Sequence, residues 1–455
     1  MADQAFSRAA GAPLVAGNAV RVLRDAAENY PAWEDAIRAA RRTIHLEMYI
    51  IHRDAVGRRF VDLLAAKARE GVAVRVIYDW FGSGPGPTFG LFDPLRHAGA
   101  DVRVFNPPTF AAMLGWVRRN HRKLLIVDAE IAFVGGLCIG QAWEGTRNAA
   151  PWRDTAVQLQ GPVVAHAERA FADSWAAAGG DHDTTRLAVA EPAPAAGGVD
   201  VRLIPTEPFT ATVFQMDLLV TAMARQRLWI ADAYFIGHGP YADALSRASR
   251  DGVDVRLLLP QGSDVGWTVP VSRSLYRSLL GAGVRVYEWT GSMMHAKTAV
   301  ADSRWSRVGS TNLNINSWLG NWELDVAIDD PGVAATMEAH FEEDITQCTE
   351  ITISQQGRLL ASPVRRGRAR RSARRAVREV TGVARSVGAA LTASRPLEDF
   401  EVTPLVVLGV TGTLVAALAV WRPWMIAWPV AVLLVWAAVS LFVEAWRAWA
   451  AWRRP

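Results

Sequence analysis

The chain contains very little cysteine for its length. Its 455 residues include two cysteines, Cys138 and Cys348, too few for a disulfide framework. No group of cysteines and histidines has the spacing of zinc ligands, so we expect no metal and no other cofactor. Residues 1–17 lack the apolar stretch of a signal peptide and are predicted to form a flexible lead.

Lysine is also scarce. Of 49 basic residues, only Lys67, Lys123 and Lys297 are lysine. Lysine presents a compact point charge, whereas arginine presents a planar fork. Two of the three lysines occur in segments 120–128 and 294–302, which share the pattern His-x-Lys-x4-Asp. These two positions therefore indicate a site that requires a compact cation.

Each segment combines three polar residues with an apolar run: His121, Lys123 and Asp128 in the first, and His295, Lys297 and Asp302 in the second. Residues two apart on a strand point to the same face, so each motif presents an imidazole beside an ammonium group. The aspartate falls on the opposite face near the end of the strand. Its position favours tying down the structure over contacting a substrate.

Two such motifs brought together would place two imidazoles and two ammonium groups around one pocket. That set suits a phosphodiester, because the ammonium groups can bind the non-bridging oxygens while one imidazole attacks and the other protonates the leaving oxygen. The two histidines must then hold opposite protonation states. Two surface histidines that happen to lie near lysines are the alternative, and the duplication of the whole motif argues against it.

Strand and helix patterns alternate along the chain and repeat in the same order. This favours an α/β fold with a mixed sheet flanked by helices, built from two tandem halves related by a pseudo-twofold. The repeat aligns Glu47 with Asp232 and Tyr49 with Tyr234. The predicted boundaries are a first half at 18–176, a linker at 177–199 and a second half at 200–350. Within the first half, 18–42 is predicted to be mostly helical, with a helix start at Pro31, followed by a strand at 43–51.

The composition changes after residue 355. Segment 356–400 contains eight arginines and no acid between 365 and 378, and 404–446 contains two charge-free runs, 405–421 and 424–443. At about 1.5 Å per residue, such runs approach or reach the ~30 Å of a hydrocarbon core. They predict a C-terminal transmembrane helical hairpin; a buried helix pair is the alternative. Arginines flank the hairpin on both sides, which places both ends in the cytoplasm.

The arginine-rich segment has two interpretations. It can lie against anionic headgroups, or it can bind nucleic acid. Its position directly before the hairpin favours lipid, and no nucleic-acid partner is expected. The apolar loop at 107–116 likewise has two interpretations, an insertion into the membrane interface or a cover over the core.

The paired motifs resemble those of the phospholipase D superfamily. Within it, segments 119–123, 49–50 and 105–107 resemble bacterial cardiolipin synthases. The resemblance implies a reaction through a covalent phosphohistidine, with His121 as nucleophile and His295 as general acid and then base. It groups Asp128 and Asp302 with the catalytic motifs. Together with the arginines that flank the predicted hairpin, it predicts an enzyme of the bacterial inner membrane with its catalytic part on the cytoplasmic face.

The resemblance extends to residues outside the motifs. It implies that the phosphate is bound by Lys123 and Lys297, with Asn312 and Ser310 of the Gly-Ser-x-Asn segment, and that Asp154 and Glu323 each hydrogen-bond a catalytic imidazole. The first half departs from this pattern, because Cys138 stands where the second half has Asn312. We predict that the two half-sites are unequal and that Cys138 is a buried packing residue.

Three functions are compatible with these features. A phosphatidyltransferase would make cardiolipin from phosphatidylglycerol, with a second phosphatidylglycerol or phosphatidylethanolamine as donor. A phospholipase D-type hydrolase would use water as acceptor and release phosphatidic acid. A membrane scaffold with an inactive site is the third, and the intact motifs argue against it.

Overall fold

The computed structural model describes residues 2–84, 90–107, 118–179, 191–237, 239–354 and 359–364, together with residue 435. All of these except residue 435 belong to one compact unit, formed by residues 1–107 and 116–381. The predicted basic segment at 356–400 lies almost wholly outside the described residues, as do the apolar loop and the hairpin. Within the part of the chain that is described, no helix is long and apolar enough to cross a membrane.

The first half begins with a helix and continues in alternating elements. They are α1 (Ala2–Ala10), β1 (Val15–Arg24), α2 (Asp25–Ala39), β2 (Thr43–Met48), α3 (Ala55–Arg69), β3 (Ala73–Asp79), α4 (Trp80–Ser83), α5 (Asp93–His97), β4 (Asp101–Phe105), β5 (Lys123–Val127), β6 (Ile131–Gly135), α6 (Gln141–Glu144), β7 (Thr155–Gln160) and α7 (Val164–Gly179).

The second half repeats this order from its first strand. Its elements are β8 (Val199–Thr206), α8 (Thr212–Met223), β9 (Arg227–Ala231), α9 (Gly239–Arg250), β10 (Asp254–Pro260), α10 (Thr268–Gly281), β11 (Arg285–Trp289), β12 (Thr298–Ala301), β13 (Trp305–Gly309), α11 (Ile315–Leu319), β14 (Glu323–Asp329), α12 (Pro331–Ile345), β15 (Cys348–Ile353) and β16 (Leu359–Pro363).

The strand order shows the internal duplication directly. The first half has the order β4-β3-β2-β5-β6-β7-β1, and the second has β11-β10-β9-β12-β13-β14-β8, extended by β15 and β16 at its edge. In each half the first three of these strands run parallel and the others antiparallel. The prediction of an α/β fold with two tandem halves and a mixed sheet is therefore confirmed.

The two halves share one buried core. Leu124 and Ile126 of β5 and Val134 of β6 pack in the same apolar cluster as Val300 of β12 and Val326 of β14. Helices α7 and α12 contribute to this cluster, while separate clusters lie beneath α2 and α3 in the first half and beneath α8 to α10 in the second. Alternate residues of β5 thus face two different cores, which is why its whole sequence is apolar after Lys123.

The start of the chain differs from the sequence prediction. Residues 1–17 are not a flexible lead, because they contain α1 and the start of β1. Residues 18–24 are strand rather than helix, since β1 pairs with β7 on one side and β8 on the other. Helix α2 begins at Asp25, so Pro31 lies inside the helix and does not start it. Long-range strand pairing here outweighs the local helical pattern.

Candidate active site

The two motif strands begin at the same place in the molecule because the halves exchange backbone hydrogen bonds. The amide of His121 donates to the carbonyl of Trp322, at 2.8 Å, and the amide of His295 donates to the carbonyl of Arg153, at 2.7 Å. The segment before Glu323 therefore runs beside the first motif, and the segment before Asp154 runs beside the second. Each half positions the histidine of the other.

This exchange produces two crossed pairs of imidazole and carboxylate. The Nδ1 atom of His121 lies 2.8 Å from Oε2 of Glu323, and the Nδ1 atom of His295 lies 2.6 Å from Oδ2 of Asp154. An ionised carboxylate only accepts hydrogen bonds, so Nδ1 carries the proton and Nε2 keeps its lone pair. Both carboxylates are fully buried, and both imidazoles are nearly so.

The two lysines lie beside the histidines with their charges buried. Lys123 Nζ donates to the carbonyl of His121, and Lys297 Nζ donates to that of His295. Burial lowers the pKa of Lys123 to about 8 and also lowers the pKa of Lys297. Among the described residues, no carboxylate is bonded directly to either ammonium group, so the two buried charges form a strong field for an anion.

Burial and this field act on the histidines as well. Burial lowers the pKa of His121 well below its ordinary value, and the charges of Lys123 and Lys297 lower it further. Burial lowers the pKa of His295 to about 4; Lys297 adds to this shift and Asp154 opposes it. Without an anion in the pocket, both imidazoles are therefore neutral near pH 7.

The two carboxyl groups differ in acidity. Burial opposes ionisation of Asp154, but the charge of His295 in its protonated form and the hydrogen bond between them outweigh it, and the pKa of Asp154 is lowered. Burial raises the pKa of Glu323 despite the charge of Lys123 and the hydrogen bond from Ser310. The pair with the more acidic carboxyl, Asp154 with His295, is better suited to stabilise an imidazolium.

The structure gives Ser310 a different role from the one predicted. Its hydroxyl donates to Oε2 of Glu323 at 2.6 Å and accepts the amide of Leu324 at 2.9 Å. Its side chain is therefore committed to the carboxylate and is not free to bind substrate. In the first half this position is Gly136, where a Cβ atom would overlap the carboxylate of Asp154. The two half-sites thus hold their carboxylates by different groups.

The position two residues further along also differs between the halves. Asn312 is buried, and its Oδ1 atom has no hydrogen-bond partner among the described residues, so this amide oxygen is not used to hold the fold. Cys138 is buried in the apolar core of the first half, as predicted. Burial raises the pKa of its thiol to about 11, so it stays protonated and unreactive near pH 7.

The aspartates of the two motifs lie outside the cluster of catalytic side chains. Asp128 and Asp302 each begin the hairpin turn at the far end of the motif strand, with positive φ of 55° and 49°. The Asp128 carboxylate accepts the backbone amides of residues 41, 42 and 43, and that of Asp302 accepts those of 225, 226 and 227. The structure does not support grouping Asp128 and Asp302 with the catalytic residues. It agrees with the expectation from strand alternation, that these aspartates tie down the structure.

Replacing Asp128 with alanine should therefore lower stability rather than catalysis. Three backbone amides lose their acceptor, and alanine tolerates the left-handed turn poorly, so we expect the free energy of unfolding to fall by about 1–2 kcal/mol. Turnover per folded molecule should stay within about twofold of the parent. Thermal unfolding together with kcat measures both quantities, and Asp302→Ala should behave alike. A large loss of kcat at unchanged stability would return the aspartate to the catalytic group.

Sequence reasoning assigned no role to four aromatic residues that line the site. The ring of Tyr49 contacts that of His121 at 4.7 Å between centroids, and Tyr234 contacts His295 at 6.0 Å. Trp143 and Trp152 both pack against His295, each at 5.4 Å. The repeat that aligns Tyr49 with Tyr234 is a sequence signal that could have identified the two tyrosines.

Trp143 is expected to matter through one hydrogen bond. Its Nε1 atom donates to Oδ2 of Asp154 at 3.0 Å, the same oxygen that faces His295. Trp143→Phe removes this donor and should lower kcat by about 10- to 100-fold, the usual value of a hydrogen bond to a buried charge. Trp152→Phe is the matched control, since no hydrogen bond joins Trp152 to that carboxylate, and should change kcat by less than about threefold. Equal losses in both variants would indicate packing alone.

Among the described residues, no group of three or more His, Cys, Asp or Glu side chains is arranged to hold a metal ion. The side chains beside the two histidines that supply positive charge are Lys123 and Lys297. The chemistry available is that of a pocket with two imidazoles, two ammonium groups and a partly uncommitted amide, which matches the charge and shape of a phosphodiester group.

Solved structures share this duplicated frame. A phosphatidylserine synthase from Haemophilus influenzae superposes with a TM-score of 0.61, covering 77% of this chain and 91% of that protein at 13% identity. A polyphosphate kinase from Porphyromonas gingivalis superposes with a TM-score of 0.53 over 77% of this chain and 51% of that protein, at 14% identity. At these identities the likeness concerns the fold.

The sequence defines the family more closely. A family model described as "Cardiolipin synthase, PLD-like domain" matches residues 34–175 and 220–345, which contain both motifs. The chain therefore belongs to this family of phospholipase D superfamily enzymes, as the motifs predicted.

Named relatives agree with this assignment. Cardiolipin synthase A of Pseudomonas syringae is 34% identical over 362 residues, covering 77% of this chain and 74% of the relative. A probable cardiolipin synthase of Bacillus subtilis, YwiE, is 31% identical over 336 residues, covering 73% of this chain and 67% of the relative.

Proposed function

We propose that this protein is a phosphatidyltransferase that makes cardiolipin. The observation that carries the proposal is the pair of crossed imidazole–carboxylate contacts, which place two histidines with free Nε2 atoms beside two buried ammonium groups. The names of the sequence relatives support the choice of lipid. The substrates would be phosphatidylglycerol as acceptor, and a second phosphatidylglycerol or phosphatidylethanolamine as donor, with no nucleic acid.

In the first step, Nε2 of His121 attacks the phosphorus of the donor lipid. A nitrogen–phosphorus bond forms, and the bond to the headgroup oxygen breaks. His295 donates a proton to that oxygen, so glycerol or ethanolamine leaves as an alcohol and not as an alkoxide. Lys123 and Lys297 stabilise the charge on the non-bridging oxygens, and the amide of Asn312 adds a polar contact. The phosphatidyl group is then held on His121.

In the second step, a hydroxyl of phosphatidylglycerol attacks this phosphohistidine. His295, now neutral, takes the proton of the hydroxyl, and the bond between phosphorus and His121 breaks. Cardiolipin is released, and both histidines return to their starting states. His295 therefore acts as an acid in the first step and as a base in the second.

The protonation states of the two histidines follow from their partners. A bound phosphodiester anion offsets the field of the lysines, which raises the pKa of both imidazoles. The ionised Asp154 favours a proton on His295, whereas the pKa of Glu323 is raised and His121 gains less from its carboxyl partner. This difference supports His121 as nucleophile and His295 as acid and then base.

We further propose a location at the bacterial inner membrane with the site on the cytoplasmic face. The support is the charge pattern of the C-terminal sequence, where arginines flank two apolar runs. The substrates are lipids of that bilayer, and the arginine-rich segment would contact its anionic headgroups.

The test is lipid analysis of a cardiolipin-deficient bacterium that expresses the chain. Mass spectrometry should detect cardiolipin with the parent chain and none with His121→Ala or His295→Ala. Phosphatidic acid without cardiolipin would replace the proposal with the hydrolase. Unchanged phospholipids in the presence of folded protein would exclude lipid transfer altogether.

A further inference from the structure

The described residues of the compact unit include eight large apolar side chains that are exposed to solvent. Six of them follow the ends of strands that lead into the site: Phe81, Phe209, Val265, Trp267, Ile315 and Leu319. We call this set the apolar rim. Its most exposed members are Phe209, with 73% of its surface accessible, and Trp267, with 63%.

Hydrogen bonds connect the apolar rim to the tyrosines beside the catalytic histidines. In the second half, the hydroxyl of Tyr234 donates to Asp264, next to Val265, at 2.7 Å. The side chain of Asn314, the residue before Ile315, donates to the carbonyl of Tyr234 at 3.1 Å. Helix α11 then meets Phe209, whose amide donates to the carbonyl of Leu319 at 3.0 Å.

In the first half the connection runs through arginine. Arg119 donates to the hydroxyl of Tyr49 at 3.4 Å, and its guanidinium lies 3.9 Å from the ring centre of Phe81. The guanidinium of the exposed residue Arg118 lies 5.3 Å from the ring centre of Phe209. These contacts connect the apolar rim to the tyrosines beside both catalytic histidines and place cations among its aromatic rings.

Exposed apolar side chains elsewhere in the compact unit provide a contrast. Met223 is 40% exposed at the end of α8, close to the residues held by Asp302 at the far end of the motif strand, and Leu360 is 49% exposed on the edge strand β16. Neither lies near the catalytic histidines. A soluble surface does not require exposed aromatic residues to gather around a polar site, whereas a surface that meets lipid does.

We propose that the apolar rim docks onto the surface of an anionic phospholipid bilayer. Aromatic rings at the level of the headgroups and arginines among them complement such a surface, because the rings enter the acyl boundary while the cations meet lipid phosphates. Docking here seats the two histidines over the headgroups, so a lipid reaches the site without exposing its acyl chains to water. The proposal rests on the proposed function in taking lipid as the substrate.

Site-directed labelling of the full-length chain tests the docking. Both natural cysteines are buried, so single cysteines introduced as Phe209→Cys and Trp267→Cys can carry an environment-sensitive fluorophore. Met223→Cys and Leu360→Cys are the matched controls, since they replace exposed apolar residues away from the site. Each variant is reconstituted in vesicles of phosphatidylglycerol and phosphatidylcholine that contain acyl-chain quenchers.

Probes at 209 and 267 should shift to shorter wavelength and be quenched, while those at 223 and 360 should report water. Replacing phosphatidylglycerol by phosphatidylcholine should weaken the first pair of signals, because the arginines lose their anionic partners. If all four probes showed the same shift and the same quenching, the proposal would be overturned, because tethering of the chain to the vesicle would explain that result without docking.

A kinetic measurement separates docking from catalysis. For a double variant, Phe209→Ser with Trp267→Ser, turnover of bilayer lipid relative to monomeric short-chain lipid should fall by about tenfold or more, as two apolar side chains leave the interface. Met223→Ser with Leu360→Ser should keep the parent ratio, and equal ratios in the two double variants would contradict docking. If cardiolipin formed while the probes at 209 and 267 reported water, docking would be refuted and the proposed function would stand. If those probes were buried in the bilayer but no cardiolipin formed, the proposed function would be refuted and docking would stand.

Discussion

Replacing His121 with alanine is expected to lower the rate of phosphatidyl transfer by about four to six orders of magnitude, because the nucleophile that carries the phosphatidyl group is lost. The cost in stability should be small. Glu323 keeps its hydrogen bonds from Ser310 and Asn321, and the backbone amide of residue 121 keeps its bond to Trp322. Kinetics on vesicles with matched amounts of folded protein measure the loss.

A substrate with a good leaving group distinguishes the two histidines. A p-nitrophenyl phosphodiester needs no proton on the departing oxygen, so His295→Ala should still form the covalent intermediate and then stall, because no base activates the acceptor. Quenching in alkaline denaturant, which preserves a phosphohistidine, followed by mass spectrometry should find the phosphoryl group on His121. His121→Ala should form no intermediate with the same substrate.

The reverse result would exchange the roles. An intermediate on His295 that accumulates in His121→Ala would make His295 the nucleophile, while the crossed geometry of the site would stay the same. Lys67→Arg provides a control for handling and folding, since Lys67 lies on α3 and pairs with Glu70, outside the site. It should behave like the parent in both assays.

Replacing Asp154 with asparagine should lower kcat by about three to four orders of magnitude, because an amide cannot stabilise the imidazolium and can hold the wrong tautomer. The shape of the side chain is kept, so folding should be little affected. Asp154 belongs to the first half, but its contact is with His295 of the second. The variant should therefore reproduce the phenotype of His295→Ala and not that of His121→Ala.

Glu323→Gln is the reciprocal variant. Its contact is with His121, so it should slow formation of the intermediate with either leaving group. The p-nitrophenyl substrate should rescue the first step of Asp154→Asn much more than that of Glu323→Gln. Rescue in the opposite pattern would show that each carboxylate serves the histidine of its own half in solution, against the structure.

Much of this protein could be predicted from its sequence because the relevant signals are local. The repeated His-x-Lys pattern and the apolar runs that follow it indicated two strands with imidazole and ammonium on one face. The same alternation placed Asp128 and Asp302 on the other face, and the structure shows them holding backbone amides at hairpin turns. A thiol at Cys138 in place of the amide at Asn312 indicated unequal half-sites.

Other features depend on contacts between residues far apart in the chain. Residues 18–24 have a pattern that alone favoured helix, and they form a strand because β7 and β8 lie on either side. Ser310 was predicted to bind substrate, but the approach of β14 brings Glu323 within reach of its hydroxyl. Trp143 acts on Asp154 only because α6 folds back over the start of β7.

The sequence by itself determined the chemical groups of the site, the duplication of the frame and the family. These follow from residue types at short spacing, where the pleat of a strand decides which side chains share a face. Only the tertiary structure decided that each carboxylate serves the histidine of the other half and that six exposed apolar residues from separate segments follow the ends of strands that lead into the site. Both arrangements arise because the motif strands of the two halves begin beside each other. Strand pairing and core packing between segments distant in the chain bring those strand ends together.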